Sequence, residues 1–294
     1  MTRKTAADFD PRILDLFDGY VHGKMSKRDF LRRAGQFTLA GVTASAVLAA
    51  LQPDYALAEQ VAPDDPDILT ERVRYASADG HGEVSGLMAR PAAAGPFGAV
   101  LVVHENRGLN PYIEDVVRRC AKAGYLALGP DGLSSLGGYP GTDDEGRIMQ
   151  ASLDPQRLLA DFFAGFEHLV GHPLSTGRVG AVGFCYGGGV CNALAVAYPE
   201  MACSVPYYGR QAAVEDVPAI QAPLQLHYAG NDARINAGWP DYEAALRAGG
   251  KAFEAHLYPD VNHGFHNDTT PRYDAAAAAL AWSRTLDWFG RHIG

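Results

Sequence analysis

Gly183-Phe184-Cys185-Tyr186-Gly187 follows the apolar run Val179-Gly180-Ala181-Val182 and precedes the helix-forming stretch Val190 to Ala197, so it reads as strand, sharp turn and helix. A turn this tight forces its central residue into a strained backbone conformation. Side chains two positions to either side would collide with it, which is why glycine is wanted at 183 and 187. The residue held at the apex is Cys185. The helix that opens behind it, with Gly188 and Gly189 at its start, aims free NH groups and the positive end of its dipole at the thiol and lowers its pKa. Read alone, the pattern also describes a glycine-rich turn around a buried, inert cysteine.

A cysteine nucleophile needs a base, and the base needs an acid to orient it. Downstream, Leu224 to Ala229 reads as a buried strand ending in Gly230-Asn231-Asp232, which makes Asp232 the candidate acid. A further strand, Phe253 to Tyr258, runs into Pro259-Asp260-Val261-Asn262-His263-Gly264-Phe265 and makes His263 the candidate base. His227 and His256 fall inside these strands and read as core or sheet-face residues, whereas His266 remains a rival for the base. Asp260 competes for the acid, although a surface turn explains it. Upstream, Gly98 to Val103 is a continuous apolar run of the kind buried on both faces of a parallel sheet, and it empties into His104-Glu105-Asn106-Arg107-Gly108. The nucleophile, acid, histidine order and these strand ends are those of an α/β-hydrolase. The oxyanion NH groups then come from Tyr186, directly after the nucleophile, and from Asn106 in the upstream loop. Glu105 is an unusual carboxylate for that loop. Beside Arg107 it reads equally as half of a solvated ion pair. Tyr208 falls near the mouth and reads as a pocket-lining residue or as a core tyrosine.

These residues together resemble the dienelactone hydrolases, the carboxymethylenebutenolidase family. The match comprises Gly-Phe-Cys-Tyr-Gly-Gly at 183–188, His104-Glu105, Pro130-Asp131-Gly132-Leu133, Tyr207-Tyr208-Gly209, Gly230-Asn231-Asp232 and the His263 loop, in order over roughly residues 70–294. The resemblance implies an α/β-hydrolase fold with a mostly parallel sheet. It also implies a Cys185-His263-Asp232 triad, with Glu105 interacting with the resting thiol, and hydrolysis of an ester or lactone through an acyl-thioester. It further implies arginines that hold a substrate carboxylate, one shortly after the fourth strand and one after the catalytic histidine. The corresponding stretches here, Asp131-Gly132-Leu133-Ser134-Ser135 and His263-Gly264-Phe265-His266-Asn267, contain no cation. Arg107 is a substrate-binding candidate in their place, as are Arg234 and Arg272. A non-hydrolytic binding or assembly protein that keeps the fold is the alternative.

The first 58 residues are a different kind of sequence, so the chain divides into an N-terminal segment, 1–58, and a catalytic domain, 59–294. A charged amphipathic stretch, Ile13 to Val21, and Ser26-Lys27-Arg28-Asp29-Phe30-Leu31 lead into the apolar stretch Phe37 to Leu51 and the small-x-small pattern Ala56-Leu57-Ala58. This resembles a twin-arginine export signal with Lys27 in place of the first arginine, and implies an exported or periplasmic enzyme beginning at Glu59. The rival reading is a retained helical arm that packs on the domain or on a second subunit in a homodimer, in a cytoplasmic enzyme. The apolar stretch is too short and alanine-rich for a membrane span.

Residues 1–58 carry 8 Lys/Arg against 6 Asp/Glu, and the remainder 17 against 28. An acidic catalytic domain argues against nucleic acid as partner, leaving a small molecule. Four cysteines without CxxC or zinc-like histidine spacing imply no metal, and no cofactor motif is present. Residues 134–153 read as a mobile loop entering a helix that resumes near Pro155.

Overall fold

The computed structural model describes residues 4–38, 41–57 and 59–294. Three short helices come first: α1 (Pro11–Val21), α2 (Lys27–Ala34) and α3 (Ala44–Leu51), each capped by a side chain, Asp10, Ser26 and Thr43 respectively. Ile13, Leu14, Phe17 and Tyr20 of α1 close with Phe30 and Ala34 of α2 and with Val47, Leu48 and Leu51 of α3 around a small core of their own. Of the leader-like sequence, Leu39, Ala40 and Ala58 lie outside the described residues. The described residues of this segment form a folded unit packed on its own chain's catalytic domain.

That domain alternates strand and helix. In chain order it runs β1 (Ile68–Ser77), β2 (Gly82–Pro91), β3 (Phe97–Val103), α4 (Pro111–Lys122), β4 (Leu126–Pro130), α5 (Asp143–Ser152), α6 (Pro155–Val170), β5 (Ser175–Phe184), α7 (Tyr186–Ala197) and β6 (Cys203–Tyr207). It ends with β7 (Leu224–Ala229), α8 (Ala233–Asn236), α9 (Trp239–Ala248), β8 (Phe253–Tyr258) and α10 (Ala275–His292). The eight strands make one sheet in the order β1-β2-β4-β3-β5-β6-β7-β8. The β1–β2 and β2–β4 pairings are antiparallel and the others parallel.

Alternation along the central strands feeds two cores. Val100, Val102, Val182, Phe184, Val205 and Tyr207 face α4 and α10. Ala99, Leu101, Val103, Ala181, Leu224 and Leu226 face α6 and α7. Strand order reverses between β3 and β5, and in such sheets the crevice at the strand carboxyl ends is where ligands bind.

One expectation is corrected here. Residues 143–152 are not loop but helix α5, because Thr142 caps it and Asp143, Asp144 and Glu145 fill its first turn, where the dipole favours negative charge. That turn is also a docking point for the N-terminal unit. Tyr20 Oη donates to Asp144 Oδ1 at 2.7 Å, Lys27 Nζ lies 3.2 Å from Asp144 Oδ2, and the Tyr55 hydroxyl donates to Asp143.

Candidate active site

Cys185 stands between β5 and α7 with φ 56° and ψ −110°, a backbone conformation that side chains other than glycine rarely adopt. The glycines around it are sterically required. A Cβ on Gly183 would sit 2.2 Å from the Gly187 carbonyl oxygen, and one on Gly187 2.3 Å from that of Val103. The elbow is thus wedged against the end of β3, and the thiol is carried to the sheet's carboxyl edge at the head of α7.

Asp232 and His263 meet as expected from opposite loops. Asp232 follows β7 and caps α8 through Oδ1, which accepts from the Ile235 NH at 3.2 Å; its Oδ2 lies 2.5 Å from His263 Nδ1. With Nδ1 committed to the carboxylate, His263 presents Nε2, which is buried without a geometric hydrogen-bond partner among the described residues; a ring nitrogen of His263 lies within 4.8 Å of Cys185 Sγ. The electrostatics of the pair are mutual. Burial opposes ionisation of the Cys185 thiol, but the charges of His263 and His22 outweigh it and hold the thiol well below its usual range. Burial likewise opposes the His263 imidazolium, and the Cys185 and Asp232 charges override it, raising its pKa to about 9. The site therefore favours a thiolate facing an imidazolium.

The rival residues are placed elsewhere. His266 is buried, with Nδ1 2.7 Å from the Tyr112 hydroxyl and its ring stacked on Phe184. His227 is buried against Tyr258 Oη, 2.8 Å from its Nδ1, and His256 belongs to strand β8. Asp260 sits in a turn with φ 61°.

Tyr186 opens α7, so its NH has no partner within the helix, and Asn106 lines the same cavity. The Asn106 side chain is engaged, its Nδ2 donating to the Val21 carbonyl at 2.8 Å. Tyr208 lines the cavity as well. Its ring centroid lies 4.9 Å from that of His263, and its buried hydroxyl has no hydrogen-bond partner among the described residues.

Two sequence-derived candidates are not where they were expected. Arg107 is buried in an ion pair with Asp143 at 2.6 Å, with Glu105 3.8 Å away, and does not line the cavity. A guanidinium so committed is not free to take a substrate carboxylate. Glu105 is held by Arg107 and by Asn267, whose Nδ2 donates to Oε2 at 2.9 Å, and no described hydrogen bond joins it to Cys185. The group at the thiol is one the sequence reading missed, His22, with Nε2 3.3 Å from Sγ. Its signal was the pairing of Asp18 and His22 four residues apart at the end of an amphipathic helix. The donor atoms of His22, Cys185 and His263 lie within 4.8 Å of one another, close enough to share a metal ion.

A cavity of about 710 Å³ adjoins the thiol. One wall is apolar, built from Leu159, Phe163, Val190, Val196 and Ile235; Arg210 and Arg234 are the basic residues on its lining.

The model of the dienelactone hydrolase family matches residues 84–293. This chain belongs to the dienelactone hydrolase family. A separate model, described as YqhI-like, matches residues 1–40. Across 286 residues the chain is 30% identical to a "Putative carboxymethylenebutenolidase" of Methylorubrum extorquens, covering 90% of this chain and 97% of that protein. It is also 61% identical over 115 residues, 39% of this chain and 98% of the other, to the "Putative hydrolase fragment YghX" of Escherichia coli. The crystal structure of a Klebsiella pneumoniae protein described as a "Putative Dienelactone Hydrolase" superposes with a TM-score of 0.66 at 26% identity, covering 76% of this chain and 99% of that one. Family membership and fold agree with the strand order and elbow above, and with the expected class of carboxylic ester or lactone hydrolase.

Proposed function

We propose that this dienelactone hydrolase relative cleaves neutral esters or lactones with an apolar acyl portion, using Cys185 as nucleophile. The observation that carries this reading is the strained Cys185 elbow facing a His263–Asp232 pair whose Nδ1–Oδ2 separation is 2.5 Å. The thiolate attacks the carbonyl carbon, and the NH groups of Tyr186 and Asn106 receive the oxyanion. His263, oriented by Asp232, protonates the leaving oxygen. The neutral imidazole then takes a proton from water, which attacks the thioester and releases the acid and the thiolate. The Tyr208 hydroxyl is available to a polar atom of the substrate.

The substrate class follows from the lining. Arg234 is already engaged, its Nη2 3.1 Å from His22 Nε2 and its Nε 3.6 Å from Asp18. Arg210 is exposed at the rim. Among the described residues, no cation on the cavity lining therefore stands ready as a dedicated carboxylate clamp, and the acidic catalytic domain disfavours anions. A neutral ester is expected to show kcat/KM at least equal to that of its carboxylate-bearing analogue. A strong preference for the carboxylate would assign Arg234 or Arg210 to substrate binding.

A second reading concerns residues 1–58. Their helices share a core, dock through Tyr20, Lys27, Tyr55 and Val21, and reach the thiol, all of which supports a retained arm over a cleaved leader. No helix among the described residues is long and apolar enough to cross a membrane. Retention and four unpaired cysteines together suit a cytoplasmic enzyme. N-terminal sequencing of protein from its native host is expected to give a start upstream of α1, and a start at Glu59 would restore the export reading.

A further inference from the structure

Among the described residues, the side chain hydrogen-bonded to the Cys185 thiol comes from outside the catalytic domain. His22, directly after α1, points Nε2 at Sγ from 3.3 Å. Its Nδ1 donates to the Asp18 carbonyl oxygen at 2.8 Å, with an Asp18 carboxylate oxygen 3.1 Å away. The pattern repeats that of His263, one ring nitrogen committed to an Asp and the other turned to the sulfur. The two rings meet edge to face with centroids 4.8 Å apart. The thiol thus lies between two imidazoles, each backed by a carboxylate.

We propose that His22 is a catalytic residue: it takes the proton of the Cys185 thiol and holds the thiolate, leaving His263 free to serve the leaving group and the water. The N-terminal unit is then a structural part of the active site. This rests on the reading of Cys185 as nucleophile.

Geometry divides the labour. His22 Nε2 lies 3.3 Å from Sγ, with Arg234 Nη2 3.1 Å from the same nitrogen, while His263 approaches the thiol at longer range, its donor atom within 4.8 Å, so the first is placed to exchange the thiol proton and the second to reach substrate oxygen. Before acylation the S–H proton passes to His22 Nε2; in acylation the C–S bond forms and the C–O bond breaks with a proton from His263. In deacylation His263 takes a proton from water, the C–S bond breaks, and the thiolate returns beside the His22 imidazolium. The net change is ester plus water to acid plus alcohol.

Charge is consistent with this assignment. The groups facing His22 are Asp18 on its own helix, Cys185 at the head of α7, Arg234 on α8 and His263, with Arg272 3.8 Å from Asp18. With Asp232 behind His263, three negative groups (Asp18, Asp232, thiolate) face the imidazolium rings of His22 and His263 and the guanidinium groups of Arg234 and Arg272, so the thiolate forms where positive charge is in slight excess. The ring does not plug the site. It is one wall of the open cavity of about 710 Å³ that also contains Cys185.

The test uses the full chain, with chelator present, and compares wild type, His22→Ala, His22→Gln and Tyr20→Phe. Tyr20→Phe removes the 2.7 Å contact to Asp144 and so perturbs docking without touching the thiol. Two quantities are read: the pH profile of iodoacetamide alkylation at Cys185, and the acylation burst with a p-nitrophenyl ester, whose leaving group needs no protonation. Both His22 variants are expected to shift the alkylation profile to higher pH and to slow acylation about a hundredfold. Deacylation should change far less, and Tyr20→Phe should keep the wild-type profile. An unchanged profile and burst in His22→Gln, or faster turnover in His22→Ala as for removal of a lid, overturns the proposal. A shift in Tyr20→Phe equal to that in His22→Gln also overturns it, by reducing the effect to docking. Activity surviving in Cys185→Ala would instead overturn the nucleophile reading beneath it.

Discussion

Cys185→Ala is expected to abolish ester turnover, and brief iodoacetamide treatment of the wild type to label Cys185 far ahead of the other three cysteines. The contrast is electrostatic. Burial pushes Cys120 up to about 12 and raises Cys191 and Cys203 as well, whereas Cys185 is depressed despite burial because two imidazoles face it. The sign of the pH dependence follows. A depressed thiol pKa means that the thiolate persists to lower pH than that of an ordinary thiol and is lost as pH falls through that lowered value. The raised pKa of His263 means that its proton is lost as pH rises through about 9. Alkylation of Cys185 should therefore extend to lower pH than that of an ordinary thiol, and turnover should decline above about 9 as the leaving group loses its acid. Equal labelling of all four cysteines would remove the basis for the assignment.

His263→Ala should lower kcat by about a hundredfold or more, since no other described imidazole is oriented by Asp232. His266→Ala acts on another property. The His266 ring does not line the cavity but partners Tyr112 Oη and stacks on Phe184, so its loss leaves a buried hydroxyl unpaired and is expected to cost about 1–3 kcal/mol of stability. Thermal unfolding and steady-state kinetics on both variants separate the two effects. A larger kinetic loss in His266→Ala than in His263→Ala would reverse the assignment of the base.

What was legible in the sequence was what local chemistry dictates. The glycine spacing around Cys185 is fixed by contacts within the turn and with β3, so the elbow could be read from five residues. β7 and β8 coincide with stretches in which apolar and polar residues alternate as in a strand, so Asp232 and His263 could be placed on the loops that follow them. The misreadings came where a partner lies far along the chain. Arg107 looked free beside Glu105 until Asp143 of α5 closed on it. The thiol-facing role that the resemblance implied for Glu105 is filled by His22, 163 residues from Cys185. A charged helix followed by an alanine-rich stretch has the composition of an export leader. The same amphipathicity serves equally to bury Phe17, Tyr20, Phe30 and Leu51 against one another, and composition does not distinguish the two.

The most direct test of the central claim is peptide mass spectrometry of enzyme acid-quenched during turnover of a slowly deacylated aryl ester. The account predicts one acyl adduct, a hydroxylamine-labile thioester on the peptide that contains Cys185. An adduct on a serine or another cysteine, or turnover that continues in Cys185→Ala, would contradict it.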